Sequence, residues 1–242
     1  MTKILQLKIA LRGIKPTIWR RFLVKDEINF QELHDTIQDV MGWEDYHLFE
    51  FQIDKMRISA DEEGHNLAEN SLKSLYESPE FLKMLKQTRM KNGSASLDIN
   101  KINKILKEQQ KNKELSRYTL KSKINSLINT EKQKIFYVYD FGDGWKHTLT
   151  LEKVLDIVDA ITPIPTCLAG ERACPPEDCG SVYGYDKLIE IKKDKKHPEY
   201  GKRIVEWLGE NFDFEKFDIN ETNKKLHRLA KVDKRTRYWV QK

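Results

Sequence analysis

Residues 137–154, YVYDFGDGWKHTLTLEKV, limit the fold more than any other stretch of the chain. An Asp-Gly step between two runs rich in β-branched and aromatic residues is a strong hairpin signal, because Asp143 and Gly144 can take the positive φ of a type I′ turn. Pairing outward from a two-residue turn sets Gly142 against Trp145, Asp140 against His147, Val138 against Leu149 and Phe136 against Leu151. One face of the hairpin is then apolar except for Asp140 and His147, opposed to each other.

The rest of the chain supplies partners for that hairpin. In KILQLKIALRGIKPTIWRRFLV, Leu5, Leu7, Ile9 and Leu11 alternate with mostly polar residues, Arg12-Gly13 breaks the run, and Ile18 to Val24 resumes it, which predicts two opening strands. NFQELHDTIQDVMGW predicts a helix over 30–41, with Asn29 as N-cap, Glu32 three residues on, and Gly42 as its stop. HLFEFQI places His47 on one strand face with Phe49, Phe51 and Ile53. Residues 71–130 change texture into charged amphipathic helices and read as an insertion within one domain spanning 1–242. After the hairpin come the broken connector ITPIPT, a compact loop CLAGERACPPEDCGSVYGY and helices in YDKLIEI, PEYGKRIVEWLG and DINETNKKLHRL. The expected fold is therefore α+β: a roll-like mixed sheet built from 3–24, 47–59 and 135–155, with packed helices and a charged helical insertion.

Composition narrows the function classes. With 242 residues the chain can bury a sizeable core, and five Trp, nine Tyr and ten Phe are too many for a disordered polymer. No apolar run approaches membrane-spanning length, and the N-terminus lacks the pattern of a signal peptide. Three cysteines confined to 167–179 suit a reducing compartment, so the expected location is cytoplasmic. A net charge of +5 permits contact with nucleic acid without demanding it. Phosphate-binding glycine loops, a Rossmann fingerprint, a nucleophile elbow and a zinc-protease helix are all missing from the sequence.

Three groups of residues carry candidate chemistry. Asp140 and His147 either satisfy each other where the hairpin meets the core, or form a site: His147 as a base or ligand oriented by Asp140, or a divalent ion shared by Asp140, Asp143, His147 and His47. Cys167, Cys174 and Cys179 fall at C-x6-C-x4-C, which is not the C-x2-C knuckle. They are ordinary packing residues or, with His147, His197 or an acidic residue as fourth ligand, a structural zinc site. Basic residues beside aromatics can grip phosphate and stack on bases, so Lys234, Arg235, Arg237 and Trp239 in the basic tail 231–242, with the insertion lysines, form a candidate nucleic-acid footprint. In KPTIWRR the strand alternation instead predicts Trp19 packed inward and Arg20 reaching outward.

The segments LRGIKPTIWRRFLV, LHDTIQDVMGWEDYHLFEF, FYVYDFGDGWKHTLTLEKV, CLAGERACPPEDCG and EWLGENFDFEKFDINETNKKL together resemble the plasmid pRiA4b ORF-3 family, including its MM3350-like group and the passenger proteins of insertion elements. They run in family order. The resemblance implies an α+β, roll-like fold and an association with mobile genetic elements, with no settled activity. Two departures stand out: the family's usual His-Leu-His step is here His47-Leu48-Phe49, and the lysine-rich insertion is unusual. The expected function is accordingly a non-enzymatic binding or accessory protein of plasmids or transposons, engaging nucleic acid or a nucleic-acid-processing partner. The alternative is a metal-dependent hydrolase or nuclease using Asp140, His147 and nearby acidic residues.

Overall fold

The computed structural model describes residues 2–59, 118–156 and 163–229. The insertion lysines up to residue 113 and the tail residues Lys234, Arg235, Arg237 and Trp239 lie outside them. Within the described residues, seven strands form one sheet: β1 (Lys3–Leu11), β2 (Trp19–Lys25), β3 (Phe49–Ile53), β4 (Met56–Ser59), β5 (Lys134–Tyr139), β6 (Trp145–Asp156) and β7 (Thr166–Glu171). Their spatial order is β4-β3-β5-β6-β1-β2-β7. The α+β class holds, but every pairing is antiparallel, where a mixed sheet was expected. Three of the six pairings join strands consecutive in the chain, β1/β2, β3/β4 and β5/β6, and the closely spaced strands within each leave no room for a parallel crossover.

The alternation seen in the sequence becomes burial. Leu5, Leu7, Ile9 and Leu11 of β1 are buried beside Phe22 and Val24 of β2 and Leu149 and Leu151 of β6. Helix α1 (Phe30–Met41) lays Phe30, Leu33, Ile37, Val40 and Met41 on this core. It starts at the expected capping box: the Asn29 side chain accepts from Glu32 N, and the Glu32 side chain accepts from Asn29 N. It stops at Gly42, whose φ of 103° an L side chain rarely adopts. Residues 118–130, the near end of the expected insertion, pack here too: Ile124 and Ile128 are buried, and Ser122 and Leu120 accept from Phe30 N and Gln31 N.

Helix α2 (Ser181–Lys193), a π-helical stretch Gly201–Leu208 and helix α3 (Ile219–Leu229) follow β7. The strand β7 was hidden in what reads as a loop, because as an edge strand it needs only one ladder partner, β2. Gly184 is fixed by close approach: a Cβ there would meet the Cys179 carbonyl oxygen at 2.0 Å, so only glycine lets the start of α2 fold onto the cysteine loop. No helix among the described residues is long and apolar enough to cross a membrane.

Arg20 and Trp19 exchange their expected places. Trp19 is only partly buried and its indole N–H donates to Glu171, whereas Arg20 is 2% exposed. The Arg20 guanidinium donates to the carbonyls of Trp19, Val40, Glu171 and Arg172 and lies 4.0 Å from the Phe217 ring. Four carbonyls, one of them at the C-terminal end of α1, offset the desolvation that draws its pKa down.

Candidate metal centre

The hairpin register places the site. Tyr139 pairs with Trp145, Tyr137 with His147 and Ile135 with Leu149, so the connection is the five-residue loop Asp140–Gly144 and not a two-residue turn. The expected Asp140/His147 pair therefore does not form. The cause is local: the Asp140 carboxylate accepts from Gly142 N at 2.8 Å, Gly144 N donates to Asp140 O, and Asp140 N donates to Leu48 O. A side chain that closes its own turn withdraws its residue from the ladder. The register is shifted by three residues, and any odd shift exchanges the two faces, so Ile135, Tyr137 and Tyr139 are buried while Phe136 is exposed.

His147 consequently sits inside the sheet with no exposure, its Nδ1 3.3 Å from the Tyr137 carbonyl oxygen and its ring edge-on to Trp43. Burial draws its pKa down to about 3, and its Nε2 has no hydrogen-bond partner. It is a neutral core histidine.

Asp140 instead faces His47. The His47 Nε2 lies 3.8 Å from Asp140 Oδ2, 3.1 Å from Asp178 Oδ1 and 3.8 Å from Glu177 Oε2. Ligand atoms of His47, Asp140 and Asp178 all fall within 4.8 Å of one another. The three come from three loops: the segment between α1 and β3, the β5–β6 loop, and the loop between β7 and α2. Despite its 3.1 Å separation from Asp178, His47 Nε2 makes no directed hydrogen bond, and Glu177 Oε2 is likewise buried without one. Atoms sharing an ion at about 2.1 Å stand about 3.0–3.4 Å apart, so the contact is closer to a ligand spacing than to a satisfied hydrogen bond.

Two of the three residues occupy the left-handed region, Asp140 at φ 55° and Asp178 at φ 54°, as does Asp45 at φ 60° two residues before His47. Such backbone costs on the order of 1–3 kcal/mol per residue and concentrates at functional sites.

The loops are held from behind. The Tyr139 hydroxyl accepts from Tyr46 N at 3.1 Å and donates to Glu177 Oε1 at 2.9 Å, and Glu177 Oε1 also accepts from Glu44 N. Burial raises the Glu177 pKa. A closed ring fixes Asp45: its N–H donates to Gln38 Oε1, Gln38 Nε2 donates to Tyr137 OH, Tyr137 OH meets His34 Nδ1, and His34 Nε2 meets Asp45 Oδ1 at 2.7 Å. With the His34 proton on Nε2, each member has a partner of the right kind. This engagement separates the second possible ligand group, His34, Asp35 and Asp45, from the first, because both nitrogens of His34 are already used.

The cysteine loop does reach the mouth of the hairpin, through acidic residues and one backbone amide: Gly180 N donates to Asp143 Oδ2 at 3.0 Å, and Asp178 meets His47. Its thiols do not join. Cys167, Cys174 and Cys179 are free, and neither three-ligand group among the described residues contains one of them. Burial raises all three thiol pKa values, that of Cys179 to about 12. Of the residues the sequence suggests for a divalent ion, Asp140 and His47 fall in the cluster, Asp143 and His147 do not, and Asp178 is added. The signal available was an acidic pair, Glu177-Asp178, inside a Pro-rich turn.

Comparison with known proteins sets this site in a family. The chain is 24% identical over 231 residues to the uncharacterized protein y4hQ of Sinorhizobium fredii, covering 95% of this chain and 94% of that protein. The crystal structure of MM3350 from Methanosarcina mazei Go1, a protein of unknown function, aligns with a TM-score of 0.62 at 31% identity, covering 91% of this chain and 98% of the other. Residues 3–221 match the family described as plasmid pRiA4b ORF-3-like protein, a span that contains all seven strands and every residue of the candidate centre. The chain belongs to the plasmid pRiA4b ORF-3-like family.

Proposed function

We propose that the protein binds a divalent cation at His47, Asp140 and Asp178, with Glu177 beside it, and that this ion performs the Lewis-acid work of a metal-dependent hydrolase. One imidazole among carboxylates suits Zn2+ or Mn2+. The observation that carries the reading is the convergence of three loops on an imidazole nitrogen that has carboxylate oxygens at 3.1 and 3.8 Å and no hydrogen bond. Asp178 is 71% exposed, so one side of the cluster is open to solvent and to a substrate. Such an ion polarises a phosphoryl or carbonyl oxygen and lowers the pKa of its bound water. The site replaces the Asp140/His147 arrangement of the sequence reading, since His147 is sealed in the core.

Elemental analysis of protein purified without chelator or affinity metal, followed by titration of the chelated protein with Zn2+ and Mn2+, tests the reading. One ion per chain is expected, with affinity falling at least tenfold in His47→Ala and in Asp178→Asn. Undiminished binding in both variants, or no binding by the wild type, overturns it. The double variant Cys174→Ser/Cys179→Ser separates zinc held at the cysteines, which that change would release.

The accessory role with nucleic acid of mobile elements is favoured by one sequence observation: Lys234, Arg235 and Arg237 run directly into Tyr238 and Trp239. Removing 231–242 should weaken retention of DNA or RNA and flatten its salt dependence. Unchanged binding sinks that role.

A further inference from the structure

The candidate centre is bordered by side chains that a soluble surface normally hides. Tyr46 is 67% exposed, Leu48 51% and Phe141 51%, and these three are the immediate chain neighbours of His47 and Asp140. Tyr183, 78% exposed, stands in the first turn of α2, just after Gly180, whose amide bonds the same β5–β6 loop. Neighbouring Cα atoms are about 3.8 Å apart, so Tyr46 and Phe141 each stand one step along the chain from a residue of the cluster. Exposed apolar groups gathered at one place mark a binding surface, whereas scattered ones need no explanation.

The backbone beneath two of these rings is fixed. Tyr46 N donates to Tyr139 OH, and Phe141 lies inside the turn closed by Asp140. The rings are therefore presented by an ordered frame, which limits the entropy lost when a partner binds.

Resting on the cation reading above, we infer that the site takes one nucleotide unit, with its phosphate on the ion and its base stacked on Tyr46 and Phe141. The ion selects a hard anionic oxygen, and aromatic side chains select a flat ring. A single ion supplies counter-charge for one phosphate, and the Glu177 carboxylate beside it disfavours a second, so the fit is to a mononucleotide or the terminal nucleotide of a single strand and not to a duplex backbone. The two readings make different demands: the tail needs a polyanion, and the centre needs one phosphate and one base.

The test uses the full chain loaded with Mn2+, titrated calorimetrically with adenosine monophosphate, ribose 5-phosphate, inorganic phosphate and a 5′-phosphorylated single-stranded hexamer. Adenosine monophosphate or the hexamer should bind at least tenfold more tightly than ribose 5-phosphate or inorganic phosphate, and whichever of the two is tighter names the source of the unit. Tyr46→Ala and Phe141→Ala should each remove roughly fivefold or more of that preference while leaving the Mn2+ affinity unchanged. Equal binding of all four ligands, or a preference that survives both substitutions, overturns the inference with the cation centre intact. Mn2+ binding with no binding of any of the four also overturns it alone. Failure to bind Mn2+ overturns the cation reading, and the nucleotide inference with it.

Discussion

His147 and His47 lie at opposite depths of the same construction, one inside the sheet and one at its mouth. His147 follows the β5–β6 loop by three residues, is fully buried and is forced neutral, its pKa drawn down to about 3. His47 precedes β3 by two residues, keeps 27% of its side chain exposed, and faces three carboxylates with no hydrogen bond to its Nε2. The residue type is the same and the apolar neighbours are similar, since His147 touches Tyr137 and Trp43 and His47 touches Tyr139. The difference is access to charge. A histidine walled by aromatics and backbone serves packing, while one that shares a solvent-open mouth with acids can hold an ion.

The largest expected effect tests this contrast directly. His147→Ala empties a fully buried position in the sheet and should cost about 3 kcal/mol of stability, with cation affinity retained in the folded fraction. His47→Ala should leave stability within about 0.5 kcal/mol and lose the ion. Urea unfolding at neutral pH, paired with Mn2+ titration of each variant, reads both quantities. Equal stability losses, or an ion lost from His147→Ala, would erase the distinction between core and mouth.

The next effect sharpens it through pH. His147 has a folded pKa depressed below its ordinary 6.5, so the unfolded chain binds the proton first. Its contribution to stability is therefore complete above pH 6.5 and is lost as pH falls toward about 3. Between pH 6.5 and 4.5 the slope from this one group is about 1.4 kcal/mol per pH unit. The variant His147→Gln cannot titrate, so the difference in unfolding free energy between wild type and variant should shrink toward acid by about 2–3 kcal/mol over that window. A constant difference would mean that the imidazole is hydrated or charged in the folded protein.

The contrast between depth and mouth also explains what the sequence disclosed. Alternation in β1 and β2, the box at Asn29 and Glu32 and the stop at Gly42 are local signals, and each element formed where its signal lay. The hairpin was legible as a hairpin, yet its register was not, because Asp140 closes its own turn and tyrosines fill the buried face. Reading a two-residue turn where five residues connect the strands slips β5 by three positions, and an odd slip exchanges the faces of a strand. That slip paired Asp140 with the wrong histidine. The true partners, His47 and Asp178, are separated from Asp140 by 93 and 38 residues in sequence and meet only after β3 pairs with β5 and the cysteine loop folds back on α2. No local pattern encodes such a meeting. The inward turn of Arg20 had the same non-local cause, since its four acceptors come from α1, β2, and the end of β7.

The smallest effect concerns the mouth alone. Burial raises the Glu177 pKa above its ordinary 4.5, so the folded protein takes this proton more readily than the unfolded chain does. The stability it contributes is present below pH 4.5 and is lost as pH rises through the raised folded value, which leaves an ionised carboxylate whose Oε2 has no hydrogen bond. Glu177→Gln keeps an oxygen to accept from Tyr139 and from Glu44 N while removing the charge. In chelated protein at pH 7 the variant should be more stable by up to about 1 kcal/mol, and the gain should fade as pH is lowered through the raised folded value and be gone below 4.5. A core position behaves oppositely, since removing His147 costs stability at neutral pH and less in acid. If Glu177→Gln were destabilising at pH 7, the carboxylate would be a structural anchor of the loops, and the mouth would be built for rigidity like the interior beneath it. If it is stabilising, the fold maintains this acid at the expense of its own stability, as expected of a group kept for an ion.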